Sequence, residues 1–580
     1  MIAARPWTSG ARSSVRWLTR RRPGEQRHVA LVALKGALIL PTRPRLPRST
    51  LIRINPTRPT TCLVLIRTSI MNRAVGEVKR QSRSRWCQDR VRRREGAHMD
   101  QARRPNVVLI VADDMGWGDL GCYGATKIPT PAMDRVAREG ARATDCHAAS
   151  ALCTPSRYAI LTGRYAWRSP LKRDVIFGHS PPLIEADRVT LPRLFQNAGY
   201  ATGAFGKWHL GLGWHFRDGR RWSSFDPGAP LVAEVEDGSN VDYAAGFRDG
   251  PTTRGFERFF GIAGSLDMAP YCYLDQDRVA GTPLRQKTRF GPQQRPGLQS
   301  AEFVEEEVDT RFVAEACNWI RAQVAVGRAF FCYLPLSAPH RPCLPPPSAK
   351  GGSQAGPRGD MVVVVDTAVG VVLDLLDELA LAEETIVIVT SDNGARLADV
   401  DGDTHGHRAN GDFRGQKADI YEGGHREPFV VRWPGHIPAG SVTNELIGLV
   451  DLAATLSAAA RIEIPPGTAE DSVNQLPVLM AGAASARTSL VQHSGRGVFS
   501  LRRGPYKLIL GQGSGGFSEP IGDPCTARQP VGQLYDVEHD PGETTNHWHE
   551  QLEVVGALYA ELKNITEGPA SGMSFDIALG

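Results

Sequence analysis

Two runs of consecutive apolar residues stand out along the chain, Asn106–Ala112 (Asn-Val-Val-Leu-Ile-Val-Ala) and Thr385–Thr390 (Thr-Ile-Val-Ile-Val-Thr). Each stops abruptly at oxygen-bearing side chains, Asp113-Asp114 in one case and Ser391-Asp392-Asn393 in the other. Unbroken β-branched runs of this length predict strands covered on both faces, as parallel strands are. Tyr200–Phe205, Ala329–Leu334 and Phe429–Trp433 have the same character. Helical spacing predicts helices over Pro131–Glu139, stopped by Gly140, and over Thr190–Ala198, with Thr190 as N-cap and Gly199 beyond the end. Further helices are predicted over Glu302–Val324 and Gly359–Leu379, the latter with Asp366, Asp374 and Asp377 on a solvated face. Strands alternating with helices give an α/β fold, a large and mostly parallel sheet with helices on its faces. From about residue 485 the period shortens. Gly497–Arg502, Tyr506–Leu510 and Gln533–Val537, with the turn His539-Asp540-Pro541-Gly542, predict a small antiparallel sheet followed by the amphipathic helix His549–Lys563. The chain therefore divides into 1–98, a large domain 99–484 and a C-terminal α+β subdomain 485–580.

Charge separates the first of these from the rest. Residues 1–98 carry 23 Lys and Arg against 4 Asp and Glu, whereas residues 99–580 carry 45 against 58. The leader lacks the interleaved aromatics and base-reading motifs of a nucleic-acid module, so no nucleic-acid partner is expected. We read it as disordered, or as an over-extended start ahead of Met71 or Met99. Its apolar run His28–Leu40 follows Arg20-Arg21-Arg22 but is interrupted by Lys35 and has no small-residue cleavage site, so it makes a poor signal peptide. No apolar run reaches membrane-spanning length. The ten cysteines show neither disulfide-framework nor zinc-ribbon spacing.

The candidate chemistry lies at the strand ends and in a few short strings. Two adjacent carboxylates at the end of a buried strand repel one another unless a cation neutralises them, although a solvated turn is the ordinary reading of Asp113-Asp114 alone. Asp113, Asp114, Asp392 and Asn393 together offer only hard oxygen, which favours Ca²⁺, or less strongly Mg²⁺, over Zn²⁺. In Cys153-Thr154-Pro155-Ser156-Arg157 the proline can open a helix, and Arg157 lies one turn beyond Cys153, which suits an anion site. Lys207 and His209, in Gly206-Lys207-Trp208-His209-Leu210-Gly211, share a face if the segment is extended. His340 after Ser337-Ala338-Pro339, and Lys417 within Phe413-Arg414-Gly415-Gln416-Lys417, also read as ordinary surface residues.

The cysteine string continues as Leu161-Thr162-Gly163-Arg164, and the whole resembles the signature of the type I sulfatases of the alkaline-phosphatase superfamily. Gly206–Gly211, Ala338-Pro339-His340, Arg414-Gly415-Gln416-Lys417 with Glu422-Gly423-Gly424-His425-Arg426, and Leu534-Tyr535-Asp536 resemble further segments of that family, over roughly residues 104–560. The resemblance implies an alkaline-phosphatase-like fold and hydrolysis of an aryl or carbohydrate sulfate ester. It implies that a maturation enzyme oxidises Cys153 to Cα-formylglycine, whose hydrate is the nucleophile, and that Asp113, Asp114, Asp392, Asn393 and residue 153 bind Ca²⁺. Arg157 would then hold the nucleophile, His209 contact its hydroxyl, Lys207 and Lys417 clamp the sulfate, and His340 protonate the leaving oxygen. It also implies export to the periplasm or beyond, while the leader leaves a cytoplasmic setting open. Two other readings stay open: a phosphonate monoester or phosphodiester hydrolase of the same superfamily, and a non-catalytic sulfated-glycan-binding protein if Cys153 is never oxidised. Residues 212–300, rich in Gly, Pro, Arg and aromatics, are expected to shape the pocket, with Asp267 a candidate lining residue and Tyr271 and Tyr273 read as packing.

Overall fold

Val107, Leu109 and Val111 enter one apolar core while Val108, Ile110 and Ala112 enter another, so the strand Asn106–Asp113 (β1) is buried on both faces and lies between two layers. The computed structural model describes residues 104–219, 238–281, 284–289, 291, 293–397, 404–522, 524–525 and 531–567. The basic leader 1–98 and residues 220–237 of the expected pocket segment lie outside the described residues.

Ten strands form the main sheet: β1, Ala141–Ala143 (β2), Ala201–Lys207 (β3), Arg258–Ile262 (β4), Leu274–Asp275 (β5), Arg278–Val279 (β6), Phe330–Pro339 (β7), Thr385–Ser391 (β8), Phe429–Arg432 (β9) and Ser441–Thr443 (β10). Their order is β10-β2-β9-β8-β1-β7-β3-β4-β5-β6. β8, β1, β7, β3 and β4 run parallel as one block, and antiparallel pairs on both flanks make the sheet mixed. One core holds the helices Pro131–Glu139 (α1), Val308–Ala325 (α4) and Gly356–Glu378 (α5). The other holds Cys153–Thr162 (α2), Leu191–Asn197 (α3) and Leu452–Ala459 (α6). This is the α/β class expected from the sequence.

A second, four-stranded antiparallel sheet follows, Ser489–His493 (β11), Phe499–Arg503 (β12), Tyr506–Ile509 (β13) and Gln533–Asp536 (β14), with Leu552–Thr566 (α7) against it. Buried charge ties it to the helix Glu422–His425 of the large domain. Lys507 Nζ lies 3.0 Å from Glu422 Oε1 and 2.9 Å from Glu543 Oε1, and the Glu422 amide donates to Glu543 Oε2. Charges this deep are tolerated because each has a partner. Among the described residues no helix is long and apolar enough to cross a membrane.

Local signals hold where a side chain acts on its own neighbours. Thr190 Oγ1 accepts from the Arg193 amide at the start of α3. The solvated reading of Asp366 fails: it is buried, and its carboxylate accepts from the Ala132 and Met133 amides, capping α1 from another helix. A donor-rich helix end attracts a carboxylate whichever element carries it.

His493 ends β11, and its carbonyl oxygen accepts from Ser150 Oγ and the Ala151 amide in the loop leading to Cys153. Burial pushes the imidazole down to about 4, with Lys172 acting in the same direction. The unfolded chain thus takes a proton that the folded chain refuses between pH 6.5 and 4. The stability this residue contributes is complete above pH 6.5 and is lost as pH falls toward 4, by up to about 3 kcal/mol. Thermal midpoints measured from pH 7 down to pH 4 should fall less steeply in His493→Gln than in the wild type.

Candidate active site

Four adjacent parallel strands deliver the site at their carboxyl ends, where open α/β sheets gather ligand chemistry. Asp113 ends β1 and Asp114 follows it, Asp392-Asn393 follow β8, His340 follows β7 and Lys207 ends β3. The sheet order β8-β1-β7-β3 therefore brings together residues as far apart in sequence as Asp113 and Asn393, 280 positions. All of these residues are buried.

Cys153 is the first residue of α2, so the helix opens two residues ahead of Pro155 rather than at it. Ser156 Oγ donates to the Ser150 carbonyl at 2.8 Å and ties the helix start to its approach loop. Gly163 ends the helix at φ 63°, and a Cβ there would lie 2.6 Å from Ala469 Cβ, so the glycine of the Leu-Thr-Gly-Arg string serves both a left-handed cap and a close approach. Cys153, Asp113 and Asp392 present ligand atoms within 4.8 Å of one another. Burial raises the thiol pKa despite Lys207 and Lys417, so the unmodified side chain is a protonated thiol.

Each carboxylate meets a cation. Lys207 Nζ lies 2.8 and 2.7 Å from the two Asp113 oxygens. Lys417 Nζ lies 2.6 and 2.8 Å from those of Asp114. Arg157 reaches Asp392 Oδ2 with Nε at 2.8 Å and Nη2 at 2.7 Å. The three acids and three bases balance. Burial would raise both Asp114 and Asp392, with different outcomes: Lys417 and His340 hold Asp114 well below the usual carboxylate range, while Asp392 is pushed up to about 6 against Arg157. Arg157, expected to face an outside anion, is here engaged by the protein's own carboxylates.

Lys417 belongs to a loop pinned from three sides. Its amide donates to the Ala395 carbonyl, the Ala418 amide to the Ala151 carbonyl just before Cys153, and Asp419 accepts from Phe517 and Ser518. His209 reaches the site differently from the sequence reading: β3 stops at Lys207, and His209 sits at φ 55°, so alternation along a strand does not place it. Its Nε2 donates to the Ile176 carbonyl at 2.7 Å, which leaves Nδ1 as an acceptor, buried and without a hydrogen bond. Burial, then Lys207 and Arg157, keep this ring neutral. His340 Nδ1 donates to the Arg341 carbonyl at 2.7 Å and turns Nε2 to 3.6 Å from Asp114 Oδ2. Burial and Lys417 push His340 down to about 4.

The loose ends of the donor set suit a divalent ion. Asn393 Nδ2 donates to Asp114 Oδ1 at 2.8 Å, whereas its Oδ1 is buried with no hydrogen bond. A buried amide oxygen without a donor costs about 1–3 kcal/mol unless something positive meets it. That oxygen, with three converging carboxylates, fits a hard cation.

A family model for sulfatases matches residues 105–462. The chain belongs to the sulfatase family. An N-acetylgalactosamine-6-O-sulfatase of Bacteroides thetaiotaomicron is 30% identical over 528 residues, covering 83% of this chain and 96% of the relative. Arylsulfatase A of Homo sapiens is 35% identical over 471 residues, covering 77% and 83%. A solved structure from work on the metabolism of multiple glycosaminoglycans by Bacteroides thetaiotaomicron superposes with a TM-score of 0.69 at 29% identity, covering 80% of this sulfatase and 99% of that chain.

Two residues that bear on the site were not legible in the sequence. Arg358, on α5, donates from Nη2 to the Asp114 carbonyl oxygen at 2.8 Å and is itself held by Asp119 at 3.0 and 2.7 Å. Asp119 also accepts from the Gly116 amide and faces His407 Nε2. The pair fixes the backbone of Asp114, which stands at φ 66°. No motif marks an ordinary arginine in a helix opening; only the proximity of α5 to the end of β1 does. Arg358→Met is expected to lower kcat/KM on a sulfate ester by about ten- to a hundredfold, the range typical when a partner that orients a site residue is removed. Steady-state kinetics beside a thermal-unfolding control check it.

Proposed function

We propose that this sulfatase hydrolyses an aryl or carbohydrate sulfate ester with residue 153 matured to Cα-formylglycine and with calcium held by Asp113, Asp114, Asp392 and Asn393. The observation that carries the reading is the meeting of Cys153, Asp113 and Asp392 within 4.8 Å, bracketed by Lys207 and Lys417. A protonated, buried thiol is a weak nucleophile, which favours a modified side chain at this position over a cysteine enzyme. The formylglycine hydrate would supply the attacking hydroxyl and a second hydroxyl through which sulfate can depart. The ion would supply charge to polarise that diol and the sulfuryl oxygens.

The chain's own residues account for the remainder. Lys207 and Lys417 stand ready to neutralise sulfuryl oxygens, and their positions are fixed by buried carboxylates before substrate arrives, so little reorganisation is needed. Arg157, locked on Asp392, keeps positive charge beside residue 153. The free Nδ1 lone pair of His209 can accept a proton from a hydroxyl on residue 153. His340 protonates the leaving oxygen from Nε2. In the free protein burial and then Lys417 oppose that proton, and an anionic ester seated on Lys417 offsets the cation and raises His340 toward working pH.

Mass spectrometry of the tryptic peptide carrying residue 153, from protein made beside a formylglycine-generating maturation enzyme, tests the reading together with turnover of 4-nitrophenyl sulfate. The expected result is the mass of the aldehyde or its hydrate in active preparations. Active protein with an intact thiol would overturn it. Faster turnover of a matched phosphodiester or phosphonate monoester than of the sulfate would favour the other branch of the superfamily.

A further inference from the structure

Beside His340, two arginines and a buried aspartate make a second charged constellation. Asp267 is buried, and its Oδ2 accepts from Arg295 Nη1 at 2.8 Å and from Arg341 Nη2 and Nε at 3.2 and 3.3 Å, while Oδ1 has no hydrogen bond. Arg341 directly follows His340, and the backbone carbonyl that orients the imidazole is its own. Arg295 is anchored as firmly. Its amide donates to the Asp267 carbonyl at 2.9 Å, its carbonyl accepts from the Tyr271 hydroxyl at 2.6 Å, and its guanidinium lies over the Phe177 ring at 5.1 Å. Phe177 adjoins Ile176, whose carbonyl holds His209. The two arginines therefore stand at the side of the site bounded by His209 and His340.

Three features favour a ligand over a structural tie. The Arg295 side chain is 47% exposed, far more than an arginine retained only to satisfy Asp267 needs to be. A half-exposed arginine ordinarily samples many rotamers, whereas this one is fixed at both backbone polar atoms, over a ring and on a carboxylate, so little entropy is left to lose on binding. Two guanidiniums face one carboxylate, which leaves an excess positive charge here while the acids and bases around residue 153 balance.

We propose that Arg295 and Arg341, oriented by Asp267, form a subsite for a second anionic group on the substrate, a carboxylate or a further sulfate carried near the scissile ester. The inference rests on the sulfatase reading and narrows its substrate class to esters with two negative groups. Planar guanidinium forks match both anions, and one buried carboxylate holds both forks in place.

The test uses the full-length matured enzyme and three aryl sulfates: an uncharged ring, the same ring bearing a carboxylate, and the same ring bearing a second sulfate. Wild-type KM is expected to be lower for at least one doubly anionic ester than for the neutral one. Arg295→Gln and Arg341→Gln should each raise that KM about tenfold, as loss of a charge-assisted hydrogen bond does, with kcat little altered and the neutral ester unaffected in Arg295→Gln. Selective loss on the carboxylate or on the second sulfate identifies the group. An equal loss on all three esters, or none on any, overturns the subsite while the sulfatase reading stands. A matured wild type that turns over none of the three, and no sulfated sugar, overturns both. Arg295→Lys separates charge from fork geometry, since a point charge should restore only part of the affinity.

Discussion

Asp392→Ala is expected to leave a folded protein with turnover reduced by at least about a thousandfold, the scale on which loss of preorganised charge is felt in an active site. The fold should survive because β8 does not depend on this side chain. All seven of its residues are buried, and it is paired in register with β1 on one side and β9 on the other. The site should not survive. Asp392 Oδ2 holds Arg157 through two contacts, and Oδ1 accepts from the Asp114 amide at 3.2 Å, so one carboxylate fixes the cation beside residue 153 and the backbone of the neighbouring acid. Removing it also leaves a buried guanidinium without its main partner, which costs about 3–5 kcal/mol and should appear as a lowered thermal midpoint. Asp392→Asn keeps shape and one acceptor but removes the charge. It should recover most of the stability and little of the turnover, which separates a structural loss from a chemical one. Exhaustive chelation of the wild type should give the same loss of rate, reversed by calcium. A chelated or substituted enzyme working at the wild-type rate would remove the metal from the mechanism.

Much of this arrangement was legible in the sequence because the physics that builds it is local. A strand covered on both faces must be apolar throughout, so β1 and β8 appear as unbroken runs, and the acids that end them are conspicuous for that reason. Lys207, His340 and Lys417 were found through short strings and not through pattern, since a lysine after a strand is by itself unremarkable. What stayed hidden depends on side chains of ordinary type meeting from distant positions. Asp366 looked like one more acid on a helix, yet the amides it caps belong to α1, 234 positions away. Lys507, Glu422 and Glu543 join the second sheet to the Lys417 loop, and nothing local distinguishes them from surface charges until burial forces them to pair. Arg358 and Asp119 were missed for the same reason. His209 shows the converse: strand alternation does not place it, because β3 stops at Lys207 and the ring follows from a left-handed residue beyond the strand.

Cys153→Ser is expected to eliminate multiple turnover in protein made beside a cysteine-oxidising maturation enzyme, leaving it folded and with its charges in place. Serine is smaller than cysteine but nearly isosteric, and Cys153 has no hydrogen bond that the fold needs, α2 being tied instead by Ser156 to the Ser150 carbonyl. The thermal midpoint should therefore move little. The chemistry changes in two ways. A serine hydroxyl is a poor nucleophile at its free pKa, and His209, its ring kept neutral by burial with Nδ1 available, is a candidate base. A weak first step is therefore open. The second step is closed, because a side chain with one hydroxyl has no second oxygen with which to expel sulfate and must wait for water to attack the ester in a site crowded by Lys207, Lys417 and Arg157. The expected outcome is either a dead protein or one that gains a single lasting sulfate on residue 153, read as a mass shift of that peptide. The same spectrum must exclude the aldehyde, since some maturation enzymes oxidise serine. Full turnover by an unoxidised Cys153→Ser protein would mean that one hydroxyl suffices, and the formylglycine mechanism would fall while the charge arrangement around residue 153 remained to be explained by another nucleophile.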